Sequence, residues 1–183
     1  GMTYISTGLS VILNNNKLVL VDIDKETGLI SLNQIKKKIT KKTKAIIPVN
    51  LYGQRIDLKR LRKIVGKKIF IVEDSAQSIL AFNKNDKKLF SNNISDISCY
   101  SFYPAKNMWC FGDGGAVVGN KNYIDKISMS RDHGRTDKYV HEFLGWNERL
   151  DSLQANILNH MITKIDEHNK DRRRIASIYD KEL

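Results

Sequence analysis

Ile69-Phe70-Ile71-Val72-Glu73-Asp74 runs four β-prone apolar residues into two carboxylates. An apolar run of this length with no polar alternation reads as a buried strand covered on both faces, ending in Glu73-Asp74. Upstream, Asp57 stands at the N-cap of a helix with Leu58, Leu61 and Ile64 turned inward and Gly66 closing it. Before that helix, Ala45-Ile46-Ile47-Pro48-Val49 reads as a second strand, with Pro48 tolerable only near its end or where its nitrogen meets no partner. Ser31 and Gln34 form a capping box that opens a helix with Leu32, Ile35 and Ile39 on one face, and Lys17-Leu18-Val19-Leu20-Val21-Asp22 reads as a strand before it. Downstream, Ile97 to Phe102 and Ala116 to Val118 complete the set. Strands alternating with helices predict an α/β fold built on a mostly parallel sheet with flanking helices. Ligands of such sheets bind beyond the carboxyl ends of the strands, where Asp74 and the loop after Tyr100 both fall.

That loop carries Lys106, in Ser101-Phe102-Tyr103-Pro104-Ala105-Lys106-Asn107. From the heptapeptide alone, Lys106 is either a surface lysine after a strand or a functional amine. A lysine held on a proline-stiffened turn and partly desolvated has a lowered pKa and forms Schiff bases with aldehydes. The aldehyde cofactor that pairs such a lysine with an upstream carboxylate is pyridoxal phosphate, whose ring nitrogen a carboxylate keeps protonated.

Composition narrows the class. The 183 residues are 41% hydrophobic, enough for one packed domain and few for two. No apolar run approaches the roughly 18 residues of a membrane span, and no signal segment opens the chain, so the chain reads as cytoplasmic with no membrane partner. Cys99 and Cys110 read as free thiols, and no metal site is expected. The net charge of +11 is the usual footprint of a nucleic-acid binder. Its lysines and arginines are spread over helix faces at Lys36-Lys38, Lys41-Lys42, Lys59-Lys68 and Arg172-Arg174, with no aromatic-interleaved stripe, so no nucleic-acid partner is expected.

Six segments occur in order: Val49-Asn50-Leu51-Tyr52-Gly53-Gln54, Val72-Glu73-Asp74-Ser75-Ala76-Gln77, Ser101 to Asn107, Gly112-Asp113-Gly114-Gly115-Ala116-Val117-Val118, Arg131-Asp132-His133-Gly134-Arg135-Thr136, and Gly145-Trp146-Asn147-Glu148-Arg149-Leu150-Asp151. Together they closely resemble the pyridoxal-phosphate-dependent nucleotide-sugar aminotransferases of the DegT/DnrJ/EryC1/StrS type, from Thr3 to about Arg174. The resemblance implies the large-domain fold of the aspartate aminotransferase (type I) transferases, incomplete here. It makes residues 1–183 a cofactor-binding catalytic domain without the family's upstream helices and small C-terminal domain.

By the same resemblance, pyridoxal 5'-phosphate is the cofactor. Lys106 would hold it as a Schiff base and then act as general acid and base, Asp74 would pair with the ring nitrogen, and Gln77 would reach the phenolic oxygen. Ser101 would bond the phosphate, and so would Asn147 from the neighbouring subunit of a homodimer. The implied reaction moves an amino group from an amino acid, glutamate by expectation, to a keto sugar linked to a nucleotide, in polysaccharide biosynthesis. The alternative is a non-catalytic remnant that folds and self-associates with weak or no cofactor binding. Lys106 in place of histidine argues against the related sugar dehydratases. His133 has no assigned role, Gly112-Gly115 read as a turn into a strand, and a magnesium-dependent phosphoacceptor site at Glu73-Asp74 leaves Ser101 to Asn107 unexplained. From Leu150 through Leu153, Ile157, Met161 and Ile165, one long helical pattern runs to Leu183.

Overall fold

The computed structural model describes residues 1–81 and 94–183. The chain divides into two compact units, one made of Gly1–Tyr100 with Val117–Ser128, the other of Ser101–Ala116 with Met129–Leu183.

In the first unit, α1 (Ile5–Ile12), α2 (Leu32–Lys38) and α3 (Leu58–Val65) accompany the strands β1 (Ala45–Ile46), β2 (Phe70–Asp74) and β3 (Ile97–Ser101). With β4 (Gly115–Gly119) they form a four-stranded sheet in the order β1-β2-β3-β4. β1 pairs with β2 and β2 with β3 in parallel, Val72 standing opposite Ile97 and Asp74 opposite Cys99. Hydrogen bonds from Phe102 N to Gly114 O and from Asn120 N to Asp96 O lie at opposite ends of β3 and β4, the arrangement of an antiparallel neighbour. A mostly parallel sheet is therefore present, as the sequence predicts.

Capping at α3 follows the sequence closely. The Asp57 side chain accepts from Arg60 N, Leu58, Leu61 and Val65 are buried, and Gly66 ends the helix at φ 71°. Ile35, Leu61 and Ile71 lie at the centre of one core cluster with Leu29, Leu51, Ile56 and Ile69. Each fully buried aliphatic side chain there contributes about 1.5–3 kcal/mol. Arg62 ties α3 to the sheet: its guanidinium donates to Ile94 O and Ile69 O and pairs with Asp96 at 2.8 Å.

Four expectations are corrected. Lys17–Asp22 forms no strand, because no described strand runs beside it; only Ile23 bridges to Ile30, and Val19 and Leu20 stay exposed. A strand needs a partner for its backbone groups, which apolar composition alone does not provide. Ala45–Val49 pairs only at Ala45–Ile46 before Pro48, buried and without an N–H, interrupts the ladder, and Val49 resumes it as a single bridge to Asp74. The capping box is half made: Ser31 accepts from Gln34 N, but Ser31 N donates to Asp22 O instead of to the glutamine side chain. Finally, the long C-terminal helix is two, α5 (Ser152–Met161) and α6 (Ile165–Glu182). Ile162 N still donates to Leu158 O, but beyond it the ladder is interrupted by a tighter turn in which Lys164 N donates to Met161 O and Thr163 Oγ1 donates back to His160 O.

The second unit packs Phe102, Met108 and Cys110 with Leu158, Met161 and Ile165 as its buried apolar residues. It also holds the hairpin β5 (Arg135–Asp137) and β6 (Val140–His141), while α4 (Lys121–Ser130) leads into it. Gly134 and Gly145 lie back to back here. A Cβ at Gly145 would meet His133 C at 2.5 Å and Ser130 O at 2.7 Å and would overlap Gly134 N, so two glycines are needed where the chain crosses itself. Cys99 and Cys110 are both free thiols. Among the described residues no helix is long and apolar enough to cross a membrane, and no group of three or more His, Cys, Asp or Glu is placed to hold a metal.

Candidate active site

In the first unit, chemistry gathers at the carboxyl end of β2. Strand alternation sends Ile71 and Glu73 to one face and Val72 and Asp74 to the other. Glu73 is fully buried. Its Oε1 accepts from Ser98 Oγ at 2.8 Å and Ser95 Oγ at 2.5 Å, its Oε2 accepts from Asn50 Nδ2 at 3.1 Å, and Arg55 Nε stands 3.6 Å away. Burying a carboxylate requires such company, because an unpaired buried charge costs several kcal/mol. Asn50 uses both ends of its amide, donating also to Ser75 Oγ and accepting from Ile56 N.

Asp74 is half-buried and tied to its surroundings at both oxygens. Oδ2 accepts from Thr7 Oγ1 at 2.6 Å and Oδ1 from Ala76 N at 3.1 Å. Thr7 Oγ1 lies 2.8 Å from Thr3 Oγ1; since Thr7 donates to the carboxylate, Thr3 donates to Thr7. Gln77, three residues on, accepts through Oε1 from Tyr52 N at 3.0 Å. Thr7, Arg55 and Asn50 were missed by sequence reasoning as supports of this region. Cys99 follows in β3, its thiol pushed up to about 11 by burial and by the carboxylates of Asp74 and Glu73. Burial, chiefly, also raises Tyr100.

In the second unit, Lys106 sits half-buried on a turn closed by Lys106 N donating to Tyr103 O, with Pro104 at the second position. Its loop is pinned throughout. Cys110 N and Sγ both reach Phe102 O, Phe111 N donates to Gln154 Oε1 of α5, and Asn107 Nδ2 donates to the buried Asn169 Oδ1 of α6. Lys106 is thus carried on a loop tied down on both sides of it. Ser101 Oγ accepts from Tyr103 N at 3.3 Å.

Asn147 is exposed, bridged to Asp132 through the backbone, and its Oδ1 accepts from Arg149 Nε at 3.0 Å. Asp132 is the hub of that loop, paired with Arg135 at 2.7 Å and 3.6 Å from Arg149. Burial pushes its carboxyl up, but the hydrogen bond and charge of Arg135, with Arg149 and His133, outweigh it and hold it below the ordinary carboxylate value. The exposed His133 contributes backbone, donating to Trp146 O.

Comparison with known proteins adds the decisive observation. The model of the DegT/DnrJ/EryC1/StrS aminotransferase family matches residues 1–183. The chain belongs to that family. A UDP-2-acetamido-2-deoxy-3-oxo-D-glucuronate aminotransferase of Pseudomonas aeruginosa is 40% identical across 100% of this chain and 51% of the relative. The crystal structure of Streptomyces venezuelae DesV in complex with a ketimine intermediate superposes with a TM-score of 0.91 at 35% identity, covering 97% of this chain and 47% of that one. NtdA of Bacillus subtilis, solved with bound cofactor PMP, superposes at 0.81 with 28% identity over 89% of this chain and 37% of its own. The fold is the type I pyridoxal-phosphate-dependent transferase fold, and the chain spans about half the length of the family relatives it matches.

The donor set at the end of β2 fits the family's cofactor. A carboxylate steadied by two donors suits a protonated ring nitrogen, and an amide whose oxygen is already taken has only N–H groups left for a phenolic oxygen.

Proposed function

We propose that this chain forms the cofactor-holding portion of an aminotransferase that moves an amino group from an amino acid, glutamate in the first instance, to a keto group on a nucleotide-linked sugar. The observation that carries the proposal is Asp74, fixed at the end of β2 by Thr7 and Ala76 in a chain of this family. Bound pyridoxal phosphate supplies an aldehyde for amine exchange and a ring that withdraws electrons from the substrate carbon.

The residues supply the rest. Asp74 keeps a proton on the ring nitrogen. Gln77 donates to the phenolic oxygen. Lys106 Nζ would hold the aldehyde group of the cofactor and would serve as the general acid and base at the substrate carbon. Ser101 donates to the phosphate, and Asn147 does so from the neighbouring subunit of a homodimer. The loop bonds around Lys106 support its role, because proton transfer demands a fixed amine position. The setting proposed is cytoplasmic, in the biosynthesis of amino-sugar polysaccharides.

The test is direct. Purified chain is mixed with pyridoxal phosphate, reduced with borohydride and digested, and the adduct is mapped by mass spectrometry. Modification of Lys106, lost in Lys106→Ala with the far-ultraviolet circular dichroism unchanged, is the expected result. An adduct on another lysine overturns the assignment.

A further inference from the structure

The segment Asn50-Leu51-Tyr52-Gly53-Gln54 makes a turn in which Gln54 N donates to Leu51 O at 3.1 Å. Both central residues are left-handed, Tyr52 at φ 55° and ψ 35° and Gly53 at φ 77°. Glycine adopts that region freely, but tyrosine does so at a cost of about 1 kcal/mol or more. Burial of the side chain does not offset the strain, since Tyr52 is 71% exposed.

Contacts at the ends of the turn hold it in place. Asn50, 1% exposed, is locked by Glu73, Ser75 and Ile56, and Gln54 Nε2 donates to Thr27 O at 2.7 Å. In this conformation the Tyr52 N–H meets Gln77 Oε1 at 3.0 Å. A backbone N–H can only donate, so the Gln77 atom facing it must be the amide oxygen. No described residue accepts from Gln77 Nε2.

We propose that the left-handed Tyr52–Gly53 turn is a positioning device for Gln77. The Tyr52 main chain holds the amide oxygen, so the side chain presents only N–H donors and the position takes an acceptor oxygen of the ligand. The contact itself is independent of the cofactor; the identity of the oxygen, the phenolic oxygen of pyridoxal phosphate, rests on the function proposed above. Tyr52 acts through its backbone and does not touch the reacting atoms.

The experiment compares wild type, Gln77→Glu and Gln77→Met, with two readouts for each. The first is hydrogen exchange of the Tyr52 amide without cofactor. The second is pyridoxal phosphate affinity, measured by absorbance titration. A glutamate still accepts from Tyr52 N but cannot donate to the ligand, whereas methionine does neither. Tyr52 exchange should be slow in wild type and Gln77→Glu and about tenfold faster in Gln77→Met, while both substitutions weaken the cofactor by about tenfold or more. Equal Tyr52 exchange in wild type and Gln77→Met overturns the positioning contact. Wild-type affinity in Gln77→Glu overturns the donor orientation. A wild type that does not bind the cofactor overturns the proposed function instead, and the exchange pattern then decides the positioning contact by itself.

Discussion

Replacing Arg55 with methionine should expose how strongly the buried charge beneath the strand end depends on its partner. Glu73 has no exposed surface and the Arg55 side chain retains 5%, with 3.6 Å between Nε and Oε2. At an effective dielectric of about 20, unit charges at that separation attract by about 4–5 kcal/mol, and breaking a buried pair typically costs about 3–5 kcal/mol. Ser95, Ser98 and Asn50 continue to solvate Glu73 in the variant, so the lower end, about 3 kcal/mol, is expected. Urea unfolding should be followed by far-ultraviolet circular dichroism, because Trp109 and Trp146, the two tryptophans of the chain, both lie in the other unit. With a slope of about 2 kcal/mol/M the midpoint should fall by about 1.5 M. Adding Glu73→Gln removes the orphaned charge at the cost of one mismatched N–H facing Asn50. The double variant should therefore be more stable than Arg55→Met alone. A loss below about 1 kcal/mol in the single variant, or strict additivity in the double, would refute this account.

Cys99 should give an alkaline signature. Its thiol is raised from an ordinary 9.0 to about 11, so its contribution to stability is complete below pH 9 and is lost as pH rises through 11, about 2–3 kcal/mol in all. Across that range wild type should lose this much stability relative to Cys99→Ala in thermal unfolding, and parallel curves would count against it. Gly145→Ala should destabilise the second unit by about 3 kcal/mol, since the new methyl meets Ser130 O, His133 and Gly134 backbone. Tryptophan fluorescence during unfolding checks this, and an unchanged midpoint contradicts it. Asp74→Asn keeps the shape but not the charge proposed to hold the ring proton, so in a preparation that transfers amino groups kcat should fall by orders of magnitude. A rate near wild type would remove the role assigned to Asp74.

What the sequence disclosed and what it hid follow physical lines. α3 and β2 were legible because caps and side-chain period are local: Asp57 and Gly66 bracket three inward residues, and Ile69 to Val72 form one apolar run. The break between α5 and α6 was not, since Met161 and Ile165 keep helical spacing across a turn that Thr163 makes by bonding His160. Lys17–Asp22 has strand composition but no described strand beside it, a condition no window of sequence contains. The proposed site residues Lys106, Asp74, Gln77, Ser101 and Asn147 are legible through the family motifs. Their supports stayed hidden because the partners lie far apart in the chain: Thr7 is 67 residues from Asp74 and Tyr52 is 25 from Gln77.

Adjacent carboxylates on opposite faces make β2 intolerant of insertion or deletion. Moving the chain by one residue between Ile71 and Asp74 would exchange their assignments, turning a buried anchor outward and drawing the outward carboxylate into a site shaped for Glu73. An aspartate there is one methylene short for the serines, Asn50 and Arg55 that surround Glu73. Alignments of relatives should therefore carry no gap within this strand. For protein engineering, loop grafts belong outside Phe70–Asp74, and a library that varies strand length there would consist almost entirely of unfolded members.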